Sequence, residues 1–154
     1  MKNGFSLIEL MVVILIISIL VSFAVPSFYE AKKSAEAAKV ITDFEVIRDA
    51  VVAYYADYGK FPQDMGPGTI PKDLKKYLPK GFKFDYRPKK DIRYDWENWI
   101  VNNKPKHPKT GILYGISLTT KDKALVKKIK GIFKGAFQYS LNDNYTFVLE
   151  YITK

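Results

Sequence analysis

The sequence predicts an α+β chain, a long amino-terminal helix packed on a carboxy-terminal antiparallel sheet. Three observations carry this. Phe5–Val25 is an apolar run with one charge, Glu9. Apolar residues then recur every three or four positions from Phe28 to Tyr58, with no strong breaker before Gly59. Beyond about residue 93, short stretches of alternating or β-branched and aromatic residues are separated by turn-forming ones.

The apolar run has 21 residues. As a helix it is about 31 Å long, the thickness of a bilayer core. Ser18 and Ser22 fit such a span, because a hydroxyl bonds back to a carbonyl one turn earlier. A secretory signal has a shorter apolar region followed by a small-residue cleavage site. Here the small residue, Gly4, precedes the run, and Pro26 and Ser27 follow it. The span is therefore read as retained. The short leader with Lys2 places the amino terminus inside under the positive-inside rule, although Lys32, Lys33 and Lys39 on the far side weaken that argument. Glu9 is costly within a span, about 2.5–3.5 kcal/mol at its centre, and calls for a partner. Pro26 removes one helical hydrogen bond and marks the weakest point of the helix.

From Ser27 to about Tyr58 the apolar stripe is Phe28, Ala31, Ala35, Ala38, Ile41, Phe44, Ile47, Val51, Tyr54 and Tyr58. Lys32, Lys33, Glu36, Lys39, Asp43 and Arg48 fill much of the rest. The stripe is predicted to lie on the sheet. Gly59 and Pro62 end the helix. Residues 63–70 read as a loop and Pro71–Leu78 as a short helix with proline in its first turn. Arg93–Val101 and Ile112–Leu118 read as strands, Asn102–Thr110 as a Lys/Pro loop, and Asp122–Phe133 as a helix with Leu125, Val126, Ile129 and Phe133 on one face. Phe137–Leu141 and Tyr145–Tyr151 form a hairpin through Asn142-Asp143-Asn144.

Composition removes several functions. With no cysteine there is no disulfide, thiolate metal site or cysteine nucleophile. His107, in Pro105-Lys106-His107-Pro108, is the single histidine, so neither a Ser-His-Asp triad nor a histidine cluster is available. Asp91, Asp95 and Glu97 invite an acid–base reading, but Lys89, Lys90 and Arg93 are at hand for solvated pairing, which is the expectation here. Asn142, Asp143 and Asn144 offer oxygens for calcium, yet three adjacent residues make a poor cage for six to eight ligands, and the turn reading is preferred. No cofactor is expected. Phe28, Tyr29, Phe44, Tyr54, Tyr55, Tyr58 and Phe61 are read as core packing rather than an electron path. The formal net charge is +9, with basic residues dense at Lys72–Arg93 and Lys121–Lys134. No nucleic-acid motif accompanies them, so they are read as solvated surface.

Gly4-Phe5-Ser6-Leu7-Ile8-Glu9, followed by the apolar run and Pro26, resembles the class III signal of type IV pilins and type II secretion pseudopilins. Ala53–Pro62, a Tyr-rich helix end before Gly59-Lys60-Phe61-Pro62, is similar to the helix exit of pseudopilins. The resemblance implies a type IV pilin-like fold. It implies a leader 1–4, a transmembrane and polymerisation half-helix 5–25, an amphipathic half 26–58 and a globular head 59–154. It implies cleavage between Gly4 and Phe5 by a prepilin peptidase and N-methylation of Phe5. Cutting there creates an ammonium about 6 Å along the helix from Glu9, and in the family Glu9 of one subunit is taken to meet the Phe5 amine of its neighbour. Phe5, Glu9 and Pro26 are thus the implied assembly residues. The implied partners are other pilin-like subunits, the peptidase, and an inner-membrane platform and ATPase. The implied place is the inner membrane, single-pass, with a periplasmic head.

Two departures from the family narrow the reading. Adhesive type IV pilins close a carboxy-terminal loop with two cysteines, and none is present, which favours a secretion pseudopilin. Major pseudopilins carry an Asp-Pro-Trp-Gly-type stretch, of which Tyr94-Asp95-Trp96-Glu97-Asn98-Trp99 is a loose echo, which speaks against the major-subunit role. The alternatives are a type IV pilus or DNA-uptake pilin, and an inner-membrane-anchored binding protein that does not polymerise.

Overall fold

A computed structural model of the chain describes residues 5–101, 104–105 and 112–151. Helix α1 is Leu7–Tyr58, 52 residues and so about 78 Å long. It continues through Pro26 without a break. The proline lacks an N–H, so the Ser22 carbonyl loses its helical donor, but neighbouring hydroxyls bond back to the turn before. Ser22 Oγ donates to the Ile19 carbonyl at 2.6 Å and Ser27 Oγ to the Phe23 carbonyl at 3.2 Å. The helix ends where predicted. Gly59 adopts φ 66°, a left-handed conformation open to glycine, and its N–H donates to the Tyr55 carbonyl at 2.8 Å.

The face that α1 buries differs in part from the predicted stripe. Ala37, Val40, Phe44, Ile47, Ala50, Val51 and Tyr54 are buried, whereas Phe28, Ala31, Ala35 and Ala38 are exposed. The core begins at Ala37, so apolar residues nearer the amino terminus have nothing to pack on. Asp43, expected among the solvent-facing charges, is buried in this face.

The predicted helix Pro71–Leu78 is only a 3-10 turn at Lys72–Leu74. Pro79 disfavours helical backbone at Leu78, and the segment serves to bury Leu74 and Leu78. The predicted strand Arg93–Val101 is divided into β1 (Arg93–Asn98) and β2 (Ile100–Val101). The break is specific: Asn98 Oδ1 accepts the Ile100 N–H at 3.1 Å, and the Trp99 N–H donates to the Leu113 carbonyl at 3.0 Å. Part of the predicted loop Asn102–Thr110 is a strand, β3 (Lys104–Pro105), paired antiparallel with β2. The remainder of that loop, including His107, lies outside the described residues.

The rest of the head follows the prediction closely. β4 is Ile112–Thr119, α2 is Lys123–Ile132, β5 is Tyr139–Leu141 and β6 is Asn144–Tyr151. The main sheet is antiparallel in the order β1-β4-β6-β5. Asp122 caps α2, its Oδ1 accepting the Leu125 N–H at 2.9 Å. Leu125, Val126 and Ile129 are buried, but Phe133, expected on their face, is exposed, because the backbone turns extended there. Asn142, with φ 54°, and Asp143 form the β5–β6 turn, while Asn144 opens β6.

One face of the sheet, with Tyr94, Trp96, Ile116 and Leu118, joins α1 in the core. Trp96 Nε1 and Asn98 Nδ2 both donate to the Pro62 carbonyl, at 3.1 and 2.9 Å, fastening the helix exit to β1. Phe61 sits between Tyr55 and Tyr114, with ring centroids 4.6 and 3.9 Å away.

Candidate functional site

The amino-terminal segment is a free apolar rod with one charged end. Every residue from Phe5 to Ala31 is exposed, which in water would leave a contiguous apolar surface far larger than a soluble protein tolerates. Such a helix needs lipid or other helices around it. It is long and apolar enough to cross a membrane and lies near the amino terminus.

Glu9 is at the head of this rod. Ser6 is the N-cap: its hydroxyl accepts the Glu9 N–H at 3.3 Å, and Glu9 Oε2 accepts the Ser6 N–H at 2.8 Å. The two side chains form a reciprocal capping box. The carboxylate is thereby drawn to the positive end of the helix dipole and held beside the peptide that joins Phe5 to Ser6. Among the described residues Glu9 has no cationic partner. The Ser6 partner is local, within the chain rather than on a neighbouring subunit, and Ser-x-x-Glu before an apolar run is its sequence signature. Phe5 is 85% exposed. Gly4 lies outside the described residues. Pro26 is inside α1, just before Phe28 and Tyr29.

The carboxylates of β1 require a correction. Asp95 and Glu97 are buried, at 3% and 9% exposure, not solvated beside Lys89, Lys90 and Arg93. They project from the sheet face opposite α1. Ser117 Oγ donates to Glu97 Oε1 at 2.6 Å and is 2.9 Å from Thr146 Oγ1. Trp99 covers this layer beside Gly115, where an added Cβ would lie 3.2 Å from the Trp99 ring. Burial, with Glu97 and Asp64 nearby, pushes the Asp95 carboxyl up to about 8. Burial also raises Glu97, against the Ser117 hydrogen bond. Asp95 Oδ1 has no hydrogen-bond partner. Asp91, by contrast, is exposed and accepts the Lys121 N–H at 2.6 Å.

The turn residues are likewise engaged within the fold. Asp143 Oδ1 pairs with Lys123 Nζ at 2.7 Å, and the nearby Asn144 side chain favours the ionised form of Glu97. Among the described residues, no group of three or more acidic or histidine side chains is placed to hold a metal ion.

Comparison with known proteins agrees with the rod. Residues 1–25 match the family model of the prokaryotic N-terminal methylation motif. The chain is 37% identical over 82 residues to a type IV major pilin protein PilE1 of Neisseria gonorrhoeae, covering 51% of this chain and 50% of that protein. It is 38% identical over 61 residues to type II secretion system core protein G of Vibrio cholerae, covering 40% and 42%. It is 36% identical over 61 residues to core protein G of Klebsiella pneumoniae, covering 40% and 44%. The chain spans about half the length, or less, of the curated relatives it matches. No solved structure matches it. The chain is pilin-like in motif and in fold, its relatives are named as type IV pilins and secretion-system core proteins, and its apolar helix fits a membrane-anchored subunit.

Proposed function

We propose that this pilin-like chain is a pseudopilin of a type II secretion system, a structural subunit that polymerises through α1. A prepilin peptidase cuts between Gly4 and Phe5 and methylates the new amine. The processed subunit waits in the inner membrane with its amino terminus in the cytoplasm and its head in the periplasm. An assembly platform and ATPase draw α1 out of the bilayer into a short fibre that moves protein cargo outward.

The observation that carries this reading is Glu9 at the end of an exposed apolar rod, with no cationic partner among the described residues. A buried carboxylate and a buried ammonium are each costly alone and much less so together. The Phe5 amine of a neighbouring subunit supplies the ammonium, and the pair sets the register between helices. Within the isolated chain the capping box holds the carboxylate at the same end of the helix, poised for that exchange. Pro26 gives α1 a point at which to bend as it leaves the bilayer.

Mass spectrometry of the membrane-extracted protein tests the reading. Loss of Met1–Gly4 and one added methyl on Phe5 are expected. An intact amino terminus would overturn it.

A type IV pilus or DNA-uptake pilin is the second reading. It is favoured by the likeness to a type IV major pilin and by the +9 charge. DNA retention that survives about 0.2 M salt would select it, since simple charge attraction fades there. A membrane-anchored protein that keeps its leader and forms no fibre would be a third kind of molecule, and the same mass measurement identifies it.

A further inference from the structure

The underside of the head carries basic clefts where α1 leaves the apolar run. On one flank of α1, Tyr29, Glu30 and Ser34 face Lys127, Lys128 and Ile132 of α2 across a cleft of about 540 Å³. On the other, Tyr29, Lys32, Lys39, Lys89 and Lys90 line a cleft of about 560 Å³. Tyr29 and Lys33 border both.

Of the four acids lining the clefts, Asp91 accepts only the Lys121 backbone N–H, and the other three are ion-paired. Glu30 pairs with Lys128 at 2.5 Å, Glu36 with Lys33 at 3.1 Å and Lys90 at 3.2 Å, and Asp122 with Lys33. Lys32, Lys89 and Lys127 form no ion pair among the described residues and are exposed. The clefts therefore keep an excess of mobile positive charge.

Their depth identifies the ligand. Tyr29 is four residues past Val25 and Lys33 eight, about 6 and 12 Å along the axis. The headgroup layer on each side of a bilayer core is about 5–8 Å thick. A lysine side chain adds a reach of about 6 Å and extends its ammonium toward water along its stem. Exposed Phe28 and Tyr29 lie just past Val25, where aromatic side chains mark the membrane–water boundary. Phosphate groups of the leaflet are the anions at this level.

We propose that the two clefts are a docking surface for anionic phospholipid headgroups, with Lys32, Lys89 and Lys127 as the phosphate-binding cations. This rests on the membrane-anchored reading of α1. Docking sets the tilt of the head against the bilayer before assembly. It lapses once α1 is drawn outward by about a Debye length, 8–10 Å at physiological salt.

The test uses the full chain in nanodiscs of phosphatidylcholine alone or with about one third phosphatidylglycerol. Native mass spectrometry reads the lipids retained on release. Each basic residue near an anionic surface strengthens association about fivefold, so the wild-type chain is expected to retain phosphatidylglycerol over phosphatidylcholine by at least about tenfold. The exposed triple variant Lys32→Gln, Lys89→Gln, Lys127→Gln is expected to fall to near parity. No preference in the wild-type chain, or an undiminished preference in the variant, would overturn the docking. So would equal displacement of the lipid by inorganic phosphate, which makes the site one for a free anion. Cross-links between copies through these clefts, as frequent in pure phosphatidylcholine as with phosphatidylglycerol, would likewise assign the surface to a second subunit. Carbonate extraction separates the premises: a chain that stays in the membrane but ignores phosphatidylglycerol refutes docking alone, whereas a chain that is extracted refutes the anchor as well.

Discussion

The Tyr94 hydroxyl donates a 2.8 Å hydrogen bond to Asp43 Oδ2, joining the start of β1 to the second half of α1 inside the core. Lys39 Nζ approaches the same carboxylate at 2.9 Å from one turn earlier and lies over the Tyr86 ring. Burial, reinforced by Asp43, raises the Tyr94 phenol well above its ordinary value, so it remains a donor at every accessible pH. Tyr94→Phe removes the donor and leaves a buried carboxylate with one partner. The expected loss is about 1.5–3 kcal/mol, the range for hydrogen bonds to charged groups. Chemical denaturation of the full chain in detergent measures it, and a change below about 0.5 kcal/mol would show that the bond is not a fastening of head to helix.

Glu9 has two roles that substitution can separate. Glu9→Ala removes the capping box, worth about 1 kcal/mol, and the charge. It is expected to be processed and inserted but to assemble poorly. Glu9→Gln retains an oxygen that accepts the Ser6 N–H but carries no charge. If pairing with the Phe5 amine sets register, Gln fails in fibre assembly as Ala does. Normal fibres from Glu9→Gln, counted by electron microscopy, would assign the residue to capping instead.

Asp95 makes stability depend on pH in an unusual direction. Its folded-state value is pushed up to about 8, against about 3.9 for an unfolded aspartate. Between these values the folded chain holds a proton that the unfolded chain has lost. Stability therefore falls as pH rises from about 4 to about 8, and the term vanishes below about 4, where both states are protonated. Asp95→Asn mimics the protonated form. Its advantage over wild type should be small near pH 4 and grow with pH to at most about 5 kcal/mol by pH 8. Thermal melts across that range check this, and parallel curves would remove Asp95 as the source.

Gly115 is required by close approach rather than by its backbone angles. A Cβ there would lie 2.8 Å from Thr146 Cγ2, 3.0 Å from the Phe147 carbonyl and 3.2 Å from the Trp99 ring. Gly115→Ala is expected to cost about 1–3 kcal/mol and to move Trp99 off the polar layer, read as a red shift in tryptophan emission. Wild-type stability and emission would show that the layer has room to yield.

Much of this was legible in the chain because it is local. The apolar run, its Ser6–Glu9 head, the Gly59 stop, the Asn142-Asp143 turn and the Asp122 cap of α2 follow from residue type and spacing alone. The position of Asp43 was legible too: it is three residues after Val40 and four before Ile47, squarely on the apolar face. By residue type Asp43 counts among the solvent-facing charges; by register it belongs to the core face.

What the sequence by itself determined is the rod: where α1 starts and stops, that its first half needs an apolar surround, and that one carboxylate stands at its head. Tertiary structure alone decided which charges are buried and which are spare. Asp95 and Glu97 alternate with aromatic residues as solvated side chains do. They are buried on a face where Glu97 meets Ser117 and the Trp99 ring lies beside Gly115, both partners on β4. Lys32, Lys89 and Lys127 are far apart in sequence, and they come to one basic underside because the segment before β1 and helix α2 both pack back against α1. Helix caps and turns rest on bonds between near neighbours. Burial and charge balance depend on which distant surfaces meet, and only the folded chain brings those together.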